Sequence, residues 1–212
     1  NAPRTQRGHV NDDEPLQYFF NSDAYQLGLT YDAGFATINS YTQYRRDRGQ
    51  QYYSLDYTST PVAALSILDQ ERTITQEFLV TSKPGPRLQY TAGAFYFDSK
   101  SDFGYVGVSS GVPSPKPPYP FSSASGADNR AIALYGDATY EAIDNLFPTA
   151  GLRWTHDNFA DGYYVVGVGG VPQPAVHAPD LKTSRVTPRG VIRYQLNSES
   201  NVYASVAKGY KG

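Results

Sequence analysis

The sequence has no cysteine and no methionine, a single tryptophan, and no apolar run long enough for a membrane-spanning helix. The lack of cysteine excludes disulfide frameworks, thiolate metal sites and cysteine nucleophiles, and it leaves the redox compartment open. With no methionine, Asn1 is not a translation start, and no signal peptide is visible. A net charge of -2 and a pI near 5.9 supply no basic footprint for nucleic acid. Groupings that carry chemistry are scarce as well. The three histidines, His9, His156 and His177, are far apart and lack a helical i, i+4 partner. His156 beside Asp157 reads as a solvated strand-end histidine before it reads as a metal ligand. The glycine-rich "GVGGVP" precedes no helix, so it is no phosphate cradle. No paired acid and base emerges, which points away from an enzyme, and nothing calls for a cofactor.

What the chain does have is tyrosine, nineteen of them against ten phenylalanines in 212 residues. A tyrosine has an apolar ring and a polar tip, which suits it to boundaries between oil and water. The hydropathy, taken alone, reads as soluble. Membrane β-barrels escape that test because their apolar residues fall at every second position.

Alternation of this kind runs through the chain. Residues 24–32 put Tyr25, Leu27, Leu29 and Tyr31 on one parity; residues 35–46 put Ala36, Ile38, Thr42 and Tyr44 there more weakly. Residues 73–81 offer Ile74, Phe78 and Val80, and residues 87–98 offer Leu88, Tyr90, Ala92, Ala94 and Tyr96. Residues 130–142 contribute Ile132, Leu134, Ala138 and Tyr140, followed by Leu146, Ala150, Leu152 and Trp154 in 145–157. Val186, Ile192, Tyr194 and Leu196 lie in 185–196, and "NVYASVAKGYKG" closes a set of about eight strands. Helical periodicity is nearly absent. The best candidate, "TPVAALSILDQE" at 60–71, reads as a loop with at most a helical turn or two.

Short links ("DAGF", "SKPGP", "IDN", "NSES") alternate with long ones at 47–72, 99–129 and 158–184. Short turns at one end and long loops at the other are the connectivity of an up-and-down outer-membrane barrel. The long links hold "SSGVPSPKPPYPFSS" and "GYYVVGVGGVPQP", whose Pro and Gly clusters interrupt a sheet. On the apolar parity, Tyr31, Tyr90, Tyr140 and Tyr194 sit toward the short turns, and Tyr25, Tyr44, Tyr96 and Trp154 toward the long loops. Two such lines are expected where strands cross both membrane interfaces. Tyr90 to Tyr96 spans roughly 20 Å at about 3.3 Å per residue, a little inside the usual apolar band.

The other parity is charged. Arg153, Arg189, Arg193, Asp137, Glu141 and Glu77 are expected to face a wet lumen, where charge is tolerated. A salt-bridge ladder along the inner wall is the simpler reading, and direct ligand contact is the other. Pro148 and Pro188 each remove a ladder donor and are expected near strand ends.

These stretches resemble a known family. "RAIALYGDATYEAIDNLFPTAGLRWTHD" (130–157) followed by "TPRGVIRYQLNSESNVYASVAKGYKG" (187–212) resembles the barrel of TonB-dependent outer-membrane receptors. "QEFLVTSKPGPRLQYTAGAFYFD" (76–98) and "YQLGLTYDAGFATINSYTQYR" (25–45) are similar to its earlier hairpins. Leu79 departs from a position that is often basic in the family, and Pro148 from a strand usually free of proline. The resemblance implies an all-β, antiparallel up-and-down transmembrane barrel, of which residues 1–212 are an internal part of about eight strands. On this expectation the plug domain, the TonB box and the remaining strands lie outside the chain.

The implied function is TonB-energised uptake of a scarce nutrient across the bacterial outer membrane, such as an iron–siderophore, cobalamin or a glycan. The implied partners are the lipid bilayer, the small-molecule nutrient, and the TonB–ExbB–ExbD complex acting through the plug. Arg153 and Arg193 are candidates to meet an anionic ligand from the wall, and Tyr105, Tyr119, Tyr163 and Tyr164 to contact ligand from the loops. A complete small eight-stranded barrel with a structural or adhesive role, or a soluble β-sandwich binding module, are the rival readings.

Overall fold

In a computed structural model of the chain, the described residues are 16–54, 64–85, 87–106, 121–168 and 171–210. They form β1 (Gln17–Asp32), β2 (Ala36–Ser54), β3 (Ala64–Ser82), β4 (Leu88–Val106) and β5 (Phe121–Tyr140). There follow β6 (Leu146–Val168), β7 (Val171–Pro172), β8 (Val176–His177), β9 (Leu181–Gln195) and β10 (Asn201–Ala207). All pair antiparallel in one sheet, ordered β1-β2-β3-β4-β5-β6-β9-β10, with the two-residue β7 and β8 both on β6. The eight path strands are those expected from the alternation. Among the described residues β1 pairs only with β2 and β10 only with β9, so the sheet is an open barrel wall.

The short links all lie at one end of the sheet, and each has a local reason to turn. Gly34 takes φ 83 and Gly85 φ 109, where a side chain would be strained. Asn145 takes φ 69, the left-handed region that Asn tolerates. Asn197 Oδ1 accepts hydrogen bonds from the Glu199 and Ser200 amides, an Asx-type turn.

The other end differs from expectation. Residues 64–71 of the 60–71 stretch are not a loop with helical turns: they belong to β3, which pairs with β2 from Ser54 and with β4 from Val106. Residues 60–63 lie outside the described residues. The long links at 99–129 and 158–184 are likewise shorter than read, because β4, β5, β6 and β9 continue into them. Backbone pairing between tall neighbouring hairpins holds these segments extended where their side chains carry no apolar alternation.

Pro188 sits mid-strand in β9, not near a strand end. The fold accommodates it because its backbone faces the β10 side, where β10 has already stopped at Ala207. Its carbonyl accepts from the Lys208 amide at 3.0 Å, and no ladder donor is required. Pro148, third in β6, faces the end of β5 in the same way, since that ladder begins at Thr139–Thr149.

Register assigns the faces. Leu29, Ser40, Phe78, Ala94, Leu134, Trp154 and Val186 form one hydrogen-bonded row on one face of the sheet. That apolar face is uncovered. Leu27, Leu29, Phe78, Leu134, Leu152 and Ile192 are all more than half exposed, and only Ala36 and Ala133 are buried among the apolar residues described. No second sheet packs on it among the described residues, which removes the basis for a β-sandwich.

Tyr25 and Tyr44 are direct partners on this face, their rings 6.4 Å apart. Tyr96 lies one register row nearer the short turns, and Trp154 one row further still. Tyr31, Tyr90, Tyr140 and Tyr194 descend across the rows in the same sense. The two aromatic lines therefore stay parallel while the hydrogen-bonded rows slant through them, which is the geometry of tilted barrel strands.

Candidate functional site

The opposite face carries the polar cluster. Tyr135 of β5 lies across its register partner Gly93 of β4, and its hydroxyl donates a short hydrogen bond to Glu77 Oε1 on β3. The Arg153 guanidinium of β6 sits 5.3 Å from the Tyr135 ring centroid, and its Nε donates to Thr155 Oγ1 at 3.2 Å. Beside it, Asp137 and Arg189 flank Gly151, whose missing side chain leaves space between them. Tyr135, Asp137, Arg153, Thr187, Arg189 and Lys208 line a cleft of about 280 Å³ on this wall. Cations outnumber carboxylates here, which suits an anionic guest.

Arg153 and Arg193, paired as candidates by the sequence, are not brought together. Arg193 is opposite Phe147, six residues along β6 from Arg153, roughly 20 Å at about 3.3 Å per residue. Its guanidinium lies 4.3 Å over the Phe147 ring and donates to Gln195 Oε1 at 2.9 Å. Tyr135 and Arg189 take its place beside Arg153. The sign for Tyr135 is a tyrosine on the polar parity that falls opposite a glycine, and it needs the strand register to be read.

Among the described residues the expected salt-bridge ladder along the inner wall does not form. On the polar face the described ion pairs are Arg45–Asp47, 2.8 Å, and, at the short-turn end, Lys83–Asp32, 2.6 Å. The ladder runs on the other face, above the aromatic line: Arg72–Asp98 (3.4 Å), Arg130–Asp98 (2.8 Å) and Lys100–Asp128 (2.6 Å). Arg153 and Arg193 lie over the rings of Tyr135 and Phe147 instead.

Of the loop tyrosines, Tyr119 lies outside the described residues. Tyr105 falls in β4 opposite Ser123, and its side chain is likewise outside them. Tyr163 and Tyr164 belong to β6 rather than a loop, opposite His177 and Val176 of β8. Tyr163 Oη donates to Asp102 Oδ1 at 3.0 Å, and this carboxylate first, then burial, holds the phenol above its usual 10.0. Tyr164 is exposed. His156 Nδ1 is 2.7 Å from Ser184 Oγ and its ring stacks on Trp154. Among the described residues no three His, Asp or Glu gather as a metal site.

The family model described as TonB dependent receptor-like, beta-barrel matches residues 1–212. The chain belongs to that family. Its members are outer-membrane receptors, and the wall described above is a part of their barrel. No curated protein sequence matches the chain. Among solved structures, the ferric yersiniabactin uptake receptor FyuA of Yersinia pestis superimposes with a TM-score of 0.79 at 18% identity. That match covers 95% of this chain and 30% of FyuA. The ferric citrate transporter FecA gives 0.59 at 17% identity, covering 89% of this chain and 27% of FecA. The ferric-catecholate import receptor Fiu of E. coli K12 gives 0.57 at 12% identity, covering 93% and 36%. At these identities the likeness is one of fold, and the chain spans about a third of each receptor's length.

Proposed function

We propose that the chain is a barrel segment of a receptor that takes up an iron chelate across the bacterial outer membrane. In this reading the plug and the remaining strands lie outside residues 1–212, and the TonB–ExbB–ExbD complex energises transport through that plug. The observation that carries the reading is the uncovered apolar face between two parallel aromatic lines, backed by a charged opposite face. An exposed apolar surface of that extent suits lipid and is costly in water. Tyr25, Tyr44, Tyr96 and Trp154 then lie at one interface, and Tyr31, Tyr90, Tyr140 and Tyr194 at the other.

The ligand class within scarce nutrients is favoured by the three structural neighbours, each named for a ferric complex. The cationic inner cleft around Arg153 and Arg189 agrees, since ferric chelates of carboxylates and catecholates are anionic. The experiment is uptake of radiolabelled iron chelates by cells lacking the full-length gene. Loss of uptake of one chelate, restored by the intact gene and not by an Arg153→Gln, Arg189→Gln double variant, is the expected result. Unchanged uptake of every ferric chelate, with loss of cobalamin or glycan uptake instead, would overturn the iron assignment.

A further inference from the structure

Above the upper aromatic line, the outward face changes from apolar to cationic over one register step. Arg46 follows Tyr44 on β2 and Arg72 follows Ile74 on β3. Arg46, Arg72 and Lys100 are direct cross-strand partners in a single row over β2, β3 and β4, with Cα spacings of about 4.5–5.5 Å. Like charges placed directly opposite one another are destabilising, so this row asks for a counter-charge. The sheet supplies only part of it. Asp128 takes Lys100 at 2.6 Å, and Asp98 is shared between Arg72 at 3.4 Å and Arg130 at 2.8 Å.

Arg46 and Arg48 form no ion pair within 4.0 Å among the described residues, although Asp23 is the register partner of Arg46. Arg72 Nε is shut from solvent with no hydrogen-bond partner. Tyr44, Arg46, Gln70, Glu71, Arg72, Lys100 and Asp102 line a surface cleft of about 390 Å³ at this level, three cations against two carboxylates.

We propose that this cleft binds the phosphate of a lipid headgroup in the leaflet on the long-hairpin side. The proposal rests on the membrane reading above. Height favours a lipid over a soluble anion: Arg46 is two residues beyond Tyr44, about 7 Å along the strand, where headgroups begin once the tyrosines mark the interface. The chemistry fits too. Guanidinium groups take phosphate through paired N–H donors, and Lys100 adds a point charge. Below the row on the same face lie Ile74 and Phe78, with the hydrogen-bonded Thr42–Gln76 pair between them.

The test uses the purified full-length receptor and two probes, diphosphorylated lipid A and the same lipid after enzymatic dephosphorylation, with bound lipid read by native mass spectrometry. The wild-type protein is expected to hold the phosphorylated probe at least tenfold better. An Arg46→Gln, Arg72→Gln, Lys100→Gln variant is expected to lose that preference while keeping the heat-dependent electrophoretic shift of a folded barrel. If that variant does not fold, Arg46→Gln alone removes a cation that no ion pair needs, and a threefold loss is expected.

Equal retention of both probes by the wild-type protein, or an unchanged preference in the folded variants, overturns the site. Displacement of the lipid by millimolar inorganic phosphate overturns the lipid source in favour of a free anion. Cell fractionation separates the two claims. A receptor found in the outer membrane without the preference sinks the headgroup site alone, whereas absence from the membrane sinks the membrane reading and the site with it.

Discussion

Tyr135 rests on Gly93: the ring occupies the space that a β-carbon on Gly93 would fill, and this lets a side chain of β5 cross β4 and reach Glu77 on β3. Three strands are thereby tied on the polar face by one side chain. Glycine in a strand weakens it by roughly 0.5–1 kcal/mol relative to alanine, so its presence here is explained by the ring above it.

Gly93→Val in the full-length receptor is therefore expected to destabilise the barrel by about 1–3 kcal/mol, the range for overpacking. In a Tyr135→Ala background the same change is expected to be neutral or mildly stabilising. Denaturant unfolding of the four proteins of this cycle checks it. Additive effects would show that ring and glycine do not depend on one another.

A second expectation concerns the apolar face. Leu134 lies on the apolar face in the register row of Trp154, just inside the upper aromatic line, and is more than half exposed. If lipid covers it, Leu134→Arg costs about 1–2 kcal/mol, between the interface and midplane values of the depth-dependent penalty. Thr155→Arg, on the neighbouring strand but the opposite face, is expected to cost far less. Equal penalties in urea unfolding of the reconstituted receptor would contradict a lipid-facing Leu134.

Much of this was legible in the residues because a strand repeats every two positions. Tyr25, Leu27, Leu29 and Tyr31 declare one face, and matching alternation in the neighbouring segments declares the sheet. Legibility ended where alternation did. The upper parts of β2 and β3, such as "RRDRGQQYYS" and "ALSILDQ", show no two-fold pattern because both faces meet water, and only pairing with neighbours makes them strands. Parity also fails at a bulge. Asp161, at φ 53, adds a residue opposite Gly126 and Asp128, which turns odd-numbered Tyr163 to the face that even residues occupy below. The Tyr135–Gly93 contact was hidden for another reason, since it joins residues 42 apart that only register brings together.

The short-turn end offers a pH test. Asp32 at the end of β1 is 2.6 Å from Lys83 Nζ after β3, and accepts from the Gly34 amide at 2.8 Å, linking two turns. The Lys83 hydrogen bond first, and the Gly34 amide second, hold its carboxyl below the usual 3.8. A lowered carboxylate pKa means the link is complete above 3.8 and is lost as pH falls through the lower folded value. Protection of the Gly34 amide, its exchange relative to the intrinsic rate at each pH, is expected to fall below pH 3.8 in the wild-type protein. In Asp32→Asn that protection is expected to show no step across this pH range. The Asp32 side chain is 67% exposed, so solvent screens the pair and global stability at neutral pH should hardly change.

The last expectation uses the bulge. Tyr163 crosses β5 above Gly126, where an added β-carbon would meet its ring, and donates to Asp102 on β4. This repeats, on the outward face of the tall hairpins, the arrangement that Tyr135 makes on the polar wall. Because the phenol's pKa is raised, the tie stands below pH 10.0 and is lost as pH climbs through the higher folded value. Tyr163→Phe removes one hydrogen bond to a charged acceptor, about 1.5–3 kcal/mol where it is well shielded and less here in partial solvent. Amides of β5 from 122 to 126 are expected to exchange about tenfold faster in Tyr163→Phe, with amides near Ala133 unchanged. Uniform acceleration along β5 would mean that the tall hairpin and the apolar band open as one unit. Deleting Asp161 carries the stronger form of the test. It returns Tyr163 to the opposite face and should give the same local acceleration, with the phenol intact but pointed away from Asp102.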